Sequence, residues 1–178
     1  MHRAELGDPD TRRYPRALAE RIAAEHRTGT RTLAVLNTVQ RATATFDELV
    51  RIAPDAELVL LHSRYRPGDR RKQTRHALAE LGPAGTVVVA TQVLEAGVDV
   101  TSNTLVTEVA PWSSIVQRAG RCNRDGAAPD ATLLWSHRRR ARPRTCPTTA
   151  LSWTTVRPSS PGWRAATSPA VTLSLIHI

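Results

Sequence analysis

Apolar residues come in short runs along this chain, separated by stretches with a helical stripe, and the alternation holds through residue 135. Pro15 suits a first helical turn, and Leu18, Ile22 and Ala23 predict a helix ending near Gly29. Thr32-Leu33-Ala34-Val35-Leu36 predicts a strand. A helix follows over 39–52, with Phe46, Leu49 and Val50 turned inward and Pro54 past its end. Leu58-Val59-Leu60-Leu61 gives a second strand, and Pro67 opens a helix that should stop at Gly82-Pro83. Thr86-Val87-Val88-Val89-Ala90 is apolar on both faces, the pattern of a central parallel strand. Leu105 to Val109 and Ala131 to Trp135 complete the set, with Ser113 placed to cap the helix between them. Strands alternating with helices predict an α/β fold, a parallel sheet covered on both faces. No internal repeat occurs.

Composition breaks this pattern near residue 136. The 178 residues suffice for one domain with a real core, and the net charge is +9. Residues 1–135 carry 18 basic and 16 acidic residues, whereas 136–178 carry 7 basic and none acidic. Global charge therefore says little about nucleic acid, because it describes the tail. That tail holds 13 Ser/Thr and five prolines without apolar periodicity, so it is expected to be disordered. Two readings fit it: a basic arm that holds nucleic acid, or non-native sequence after a frameshift near Ser136. The abruptness of the break favours the second, as do the last six residues, Leu-Ser-Leu-Ile-His-Ile, which look like a translated sequencing-adapter end. The expected organisation is a lead-in over 1–13, one domain over 14–135, and this tail.

Cys122 and Cys146 have neither zinc spacing nor a disulfide framework, which fits a reducing, cytoplasmic setting and no metal site. No apolar run has the length of a membrane span, and the charged N-terminus lacks a signal-peptide core.

The chemistry concentrates in two motifs. In Gln117-Arg118-Ala119-Gly120-Arg121-Cys122-Asn123-Arg124, a helix would put Gln117, Arg121 and Arg124 on one face at i, i+4 and i+7. Ile115, Ala119 and Cys122 would pack below, and Gly120 would let an anion approach the backbone. Two guanidiniums and an amide on one surface suit a polyphosphate. The second motif, Val89-Ala90-Thr91-Gln92-Val93-Leu94-Glu95-Ala96-Gly97-Val98-Asp99, leaves the central strand at its carboxyl end, where α/β sheets gather ligands. Thr91 and Gln92 can offer a hydroxyl and an amide to a phosphate. Gly97 permits a close backbone pass, and Asp99 can accept from a ribose hydroxyl or hold a neighbouring arginine. Asn37-Thr38 reads as a helix cap or a phosphate contact. Ser63 and Arg64 suit nucleic-acid phosphate. His62 reads as a satisfied histidine in a tight turn, and Arg70, Arg71, Lys72 and Arg75 as a solvated helix face.

Leu-Asn-Thr, Leu-His-Ser-Arg, Val-Ala-Thr-Gln…Glu-Ala-Gly-Val-Asp and Gln-Arg-Ala-Gly-Arg-Cys-Asn-Arg occur in that order. So ordered, they resemble the second RecA-like lobe of superfamily 2 helicases. Thr-Gln-Val-Leu-Glu-Ala-Gly-Val-Asp and Thr-Glu-Val-Ala-Pro-Trp-Ser-Ser-Ile-Val-Gln-Arg are similar to the helicase-nuclease of type I CRISPR interference. The resemblance runs from about residue 14 to 135. It implies an ATP-dependent helicase in which Arg121 and Arg124 reach the γ-phosphate, one as arginine finger. Gln117, Gly97 and Asp99 would bind nucleotide or couple it to strand movement. Thr38, Ser63, Arg64, Thr91 and Gln92 would hold single-stranded DNA. No Gly-x-x-x-x-Gly-Lys-Ser/Thr loop, magnesium-holding Asp-Glu motif or His-Asp nuclease dyad is present. ATP and Mg2+ are therefore expected to be bound mainly by a first helicase lobe elsewhere. The expected partners are that lobe, a nuclease domain and a CRISPR surveillance complex, and the chain alone is expected to be inactive. The alternatives are a lobe of another superfamily 2 helicase, a non-catalytic nucleic-acid-binding module, or a functionless fragment.

Overall fold

Alternate side chains of the central strands go to opposite faces of one sheet, and each face carries its own core. The structure, a computed structural model, describes residues 12–52, 55–95, 98–136 and 172–173. In chain order come α1 (Tyr14–Glu25), β1 (Arg31–Val35), α2 (Val39–Ile52), β2 (Glu57–Leu61), α3 (Pro67–Leu78) and β3 (Thr86–Ala90). A 3-10 turn (Gln92–Leu94), β4 (Thr104–Glu108), α4 (Trp112–Ala119) and β5 (Thr132–Ser136) complete the predicted fold. Strand order is β2-β3-β1-β4-β5, every pair parallel, so the expected α/β sheet is present. Of the tail, Ser136 ends β5 and Thr172–Leu173 (β6) form a two-residue parallel strand on it, which corrects the expected disorder at these positions; the other tail residues lie outside the described residues.

Val87 and Val89 of β3 join Ala34, Leu36 and Leu60 beneath Tyr14, Leu18 and Ile22 of α1 and Leu49 of α2. Val88 and Ala90 point the other way, to Leu33, Val35, Leu61, Leu94, Leu105, Ala77 of α3 and Cys122. All five β3 residues are buried, as its pattern predicts. Gly85, at φ +80, turns the chain into β3, and a Cβ there would run into the backbone of Thr30.

Four local expectations need correction. α1 stops at Glu25 because His26 turns extended and its ring is held at both nitrogens. Its Nε2 faces the Ala84 carbonyl at 3.0 Å and its Nδ1 faces Thr32 Oγ1 at 2.9 Å. A carbonyl only accepts, so in the neutral ring Nε2 donates and Nδ1 accepts from the hydroxyl. α3 ends at Leu78, since Ala79 turns extended and its carbonyl accepts from Arg31 Nη2 at 2.7 Å. Val50 is 52% exposed, because the buried stripe of α2 runs through Ala42, Thr45 and Leu49. Ser113 does not cap α4: Pro111 holds the cap position, and no side chain bonds there.

Burial pushes the Cys122 thiol up to about 11, and its sulfur lies 3.6 Å from the Thr132 carbonyl. At pH 8 its alkylation is predicted to run roughly a hundredfold slower than that of a free cysteine, because little thiolate forms. Mass-spectrometric tracking of the Cys122 peptide checks this, and reaction at the free-thiol rate contradicts it.

Candidate functional site

The arginine motif does not form one helical face. Helix α4 ends at Ala119, with Gly120 as its cap at φ -64. A Cβ on Gly120 would meet only ordinary contacts, so its backbone geometry does not require glycine. Beyond it the chain turns, and Asn123 takes a left-handed φ of 49, which an asparagine tolerates. Its amide is tied down by Ala128: Nδ2 donates to the Ala128 carbonyl at 2.9 Å, and Oδ1 accepts from the Ala128 N–H at 2.8 Å.

This turn is fastened to the segment that enters β4. The Ser102 N–H donates to the Arg121 carbonyl at 2.9 Å, and the Asn123 N–H donates to the Ser102 carbonyl at 2.8 Å. The Arg124 N–H donates to Thr101 Oγ1 at 3.1 Å. The same segment carries Asp99, whose Oδ1 pairs with Arg124 Nη1 and lies 3.5 Å from Arg121 Nη1. One carboxylate thus gathers both arginines, the second of the two roles expected for Asp99. Its side chain is 80% exposed, against 16% for Arg121 and 53% for Arg124, so the group opens to solvent. Gln117 is exposed on α4, and Gly97 lies outside the described residues. Ile115 is half-buried, while Ala119 and Cys122 pack on the core as expected.

The residue missed in the sequence is Arg118. Its side chain is 1% exposed, and its three nitrogens make five close contacts to four oxygens. Nε and Nη2 lie 2.9 and 2.8 Å from Glu95 Oε1. Nη1 donates to Thr107 Oγ1 at 2.9 Å and to the Glu108 carbonyl at 3.0 Å, and Nη2 to Asn37 Oδ1 at 3.1 Å. A second ion pair adjoins it: Glu108 takes Arg41 Nη2 at 3.0 Å, the Asn37 N–H at 2.7 Å and the Tyr14 hydroxyl at 3.1 Å. Burial, with the Glu108 charge, raises the Tyr14 phenol well above its ordinary value, so it stays a donor. Two cations and two carboxylates share this cluster, which leaves no net buried charge.

Asn37 joins the parts. It bonds Arg118 and Glu108, its Nδ2 donates to the Val109 carbonyl at 2.8 Å, and its own carbonyl accepts from Gln92 Nε2 at 2.9 Å. Beside it, Thr38 Oγ1 accepts from the Arg41 N–H at 3.3 Å, the cap expected as an alternative to phosphate contact. Ser63 and Arg64 are exposed at the end of β2. Thr91, whose N–H donates to the Leu61 carbonyl at 3.0 Å, is 1% exposed, which corrects its placing as an open hydroxyl. His62 is not fully satisfied: its ring stacks on Tyr65 at 4.1 Å, and Nδ1 has no partner among the described residues. Arg70, Arg71, Lys72 and Arg75 form an exposed face of α3, as expected.

The predicted residues therefore fall into two groups. Thr38, Ser63, Arg64, Thr91 and Gln92 stand at the carboxyl ends of β1, β2 and β3. Asp99, Arg121 and Arg124 stand beside the segment entering β4, beyond the far end of α4. Arg118 and Glu95 lie between them.

A family model for the CRISPR-associated nuclease/helicase Cas3, C-terminal, matches residues 28–127. The chain belongs to this family. Its sequence is 34% identical over 113 residues to the CRISPR-associated helicase Cas3 of Thermoproteus tenax, covering 62% of this chain and 19% of that protein. The crystal structure of T. fusca Cas3-ATP superposes with a TM-score of 0.61 at 26% identity, over 72% of this chain and 16% of that one. A chain of a CRISPR RNA-guided surveillance complex, pre-nicking, aligns with a TM-score of 0.51 at 28% identity, over 63% of this chain and 16% of that one. The fold is thus the RecA-like helicase lobe expected from the motifs. The chain spans less than a fifth of the length of the curated Cas3 relatives it matches.

Among the described residues of this Cas3-family lobe, no group of three His, Cys, Asp or Glu is placed to hold a metal. The exposed Asp99 pairs contrast with the buried Arg118 pair. Asp99→Asn is predicted to change the unfolding free energy by less than about 1 kcal/mol, as exposed ion pairs do. Urea unfolding checks this, and a loss of several kcal/mol contradicts it.

Proposed function

We propose that this lobe completes the ATPase of a CRISPR helicase-nuclease, which moves along and unwinds DNA during target degradation. The observation that carries the reading is the convergence of Arg121 and Arg124 on one exposed carboxylate, in a turn braced by Thr101 and Ser102. A carboxylate that draws two guanidiniums together occupies the place a phosphate would compete for. When ATP is held by the first lobe, Arg121 and Arg124 meet its γ-phosphate, one of them as arginine finger, and stabilise the charge that develops on transfer. Gln117 orients the nucleotide, and Asp99 and Gly97 link its state to the strand-holding edge.

At that edge Thr38, Ser63, Arg64 and Gln92 hold single-stranded DNA by its phosphates, a sequence-tolerant and salt-sensitive grip. Buried Thr91 shapes the turn that presents Gln92. ATP binding draws the two lobes together, hydrolysis lets them part, and the alternating grip moves the strand. The arginine pair fits the γ-phosphate of a triphosphate whose remaining contacts, with Mg2+, belong to the first lobe in this reading. Trp112 and Val116, one turn apart on α4 and both exposed, suit cover by that lobe. The nuclease domain and a CRISPR surveillance complex are the further partners, in a prokaryotic cytoplasm.

The test is Arg124→Ala in the intact enzyme. ATP turnover is expected to fall by roughly 3–5 orders of magnitude while ATP binding persists. Unchanged turnover removes the arginine-finger role.

A further inference from the structure

Helix α4 leads into the arginine turn at one end, yet the side chain of Arg118, one residue before its last, reaches back to the opposite edge of the sheet. That edge is where Thr38 and Gln92 stand. The contacts of Arg118 are distributed over the segments that form it: Asn37 immediately before Thr38, Glu95 three residues after Gln92, and Thr107 with Glu108 at the end of β4. Gln92 itself bonds the Asn37 carbonyl, so Asn37 links Gln92 and Arg118.

A guanidinium with five committed contacts resists small displacement, because each contact depends on direction as well as distance. A shift of the Gln92–Glu95 turn would drag Glu95 off its two guanidinium nitrogens or carry Arg118 with it. Arg118 is rooted in a helix only about 12 Å long, and the turn holding Arg121 and Arg124 begins two residues after its end. Movement at the strand-holding edge therefore reaches the arginine pair through one stiff element.

Packing alone does not need this arrangement. An apolar side chain of similar length could fill the same volume, and buried ion pairs often add little stability over such a replacement. What an apolar residue cannot do is tie three separate segments to one point with directional bonds.

We propose that Arg118 is a positioning residue that couples strand occupancy to the arginine pair, through Glu95 and Asn37. The proposal rests on the helicase reading above. It adds a residue that touches neither nucleotide nor DNA and yet sets how strongly one answers the other.

The test uses the intact enzyme and the ratio of its ATP turnover with saturating single-stranded DNA to its turnover without. Arg118→Lys keeps the charge and loses the fork, and Glu95→Gln keeps the shape and loses the ion pair. Both variants are expected to lower the ratio by at least about fivefold, within the range of measured coupling between sites. A purely structural role would lower both rates together and leave the ratio in place. If either variant folds, as judged by its thermal unfolding transition, and keeps the wild-type ratio, the coupling role is overturned. Should Arg118→Lys not fold, Glu95→Gln decides alone, since its partner stays charged and its amide can still accept. A wild-type enzyme whose turnover does not respond to DNA overturns the helicase reading and the coupling with it. A responsive wild type with equally responsive variants overturns the coupling alone.

Discussion

Burying a guanidinium costs several kcal/mol unless oxygens replace the water it gives up, and Arg118 finds that replacement in Glu95, Thr107, Glu108 and Asn37. Satisfying this one charge fixes the relative positions of β1, β4, the turn after β3 and helix α4. The second pair, Arg41 with Glu108, extends the constraint to α2, and the Tyr14 hydroxyl brings in α1. The parallel sheet supplies rigid strands, and this polar cluster sets what stands at their carboxyl ends.

Two surfaces flank it. One is the edge bearing Thr38, Ser63, Arg64 and Gln92. The other is the Asp99, Arg121 and Arg124 group, braced separately by Thr101 and Ser102 at the entry to β4. The two surfaces differ in their electrostatics. Asp99 and Arg124 are open to solvent and weakly held, while Arg118 and Glu95 are shielded and costly to separate.

The strands were legible because short apolar runs such as Thr86–Ala90 leave little choice when both faces are covered. Helix ends were less so, since α1 and α3 stop where His26 and Ala79 meet partners tens of residues away. The motif order pointed to the Cas3 family, which the match over residues 28–127 shows. Spacing misleads at the arginines: an i, i+4, i+7 face needs a continuous helix, but α4 stops at Ala119, and Asp99 brings Arg121 and Arg124 together instead. Arg118 stayed hidden because a lone arginine beside Gln117 reads as one more solvated charge. Its acceptors lie 10, 11, 23 and 81 residues away in sequence, beyond the reach of any local period. A usable signal was the presence of two acids beside buried apolar strands, Glu108 at the end of β4 and Glu95 in the turn after β3.

A double-mutant cycle on Arg118 and Glu95, read by urea unfolding of the 178-residue chain, tests the central claim most directly. Arg118→Met alone strands a carboxylate and is predicted to cost about 3–5 kcal/mol. Adding Glu95→Gln should then cost much less than it does alone, leaving a coupling energy above about 1 kcal/mol. Single effects that simply add, to within about 0.5 kcal/mol, would contradict the account.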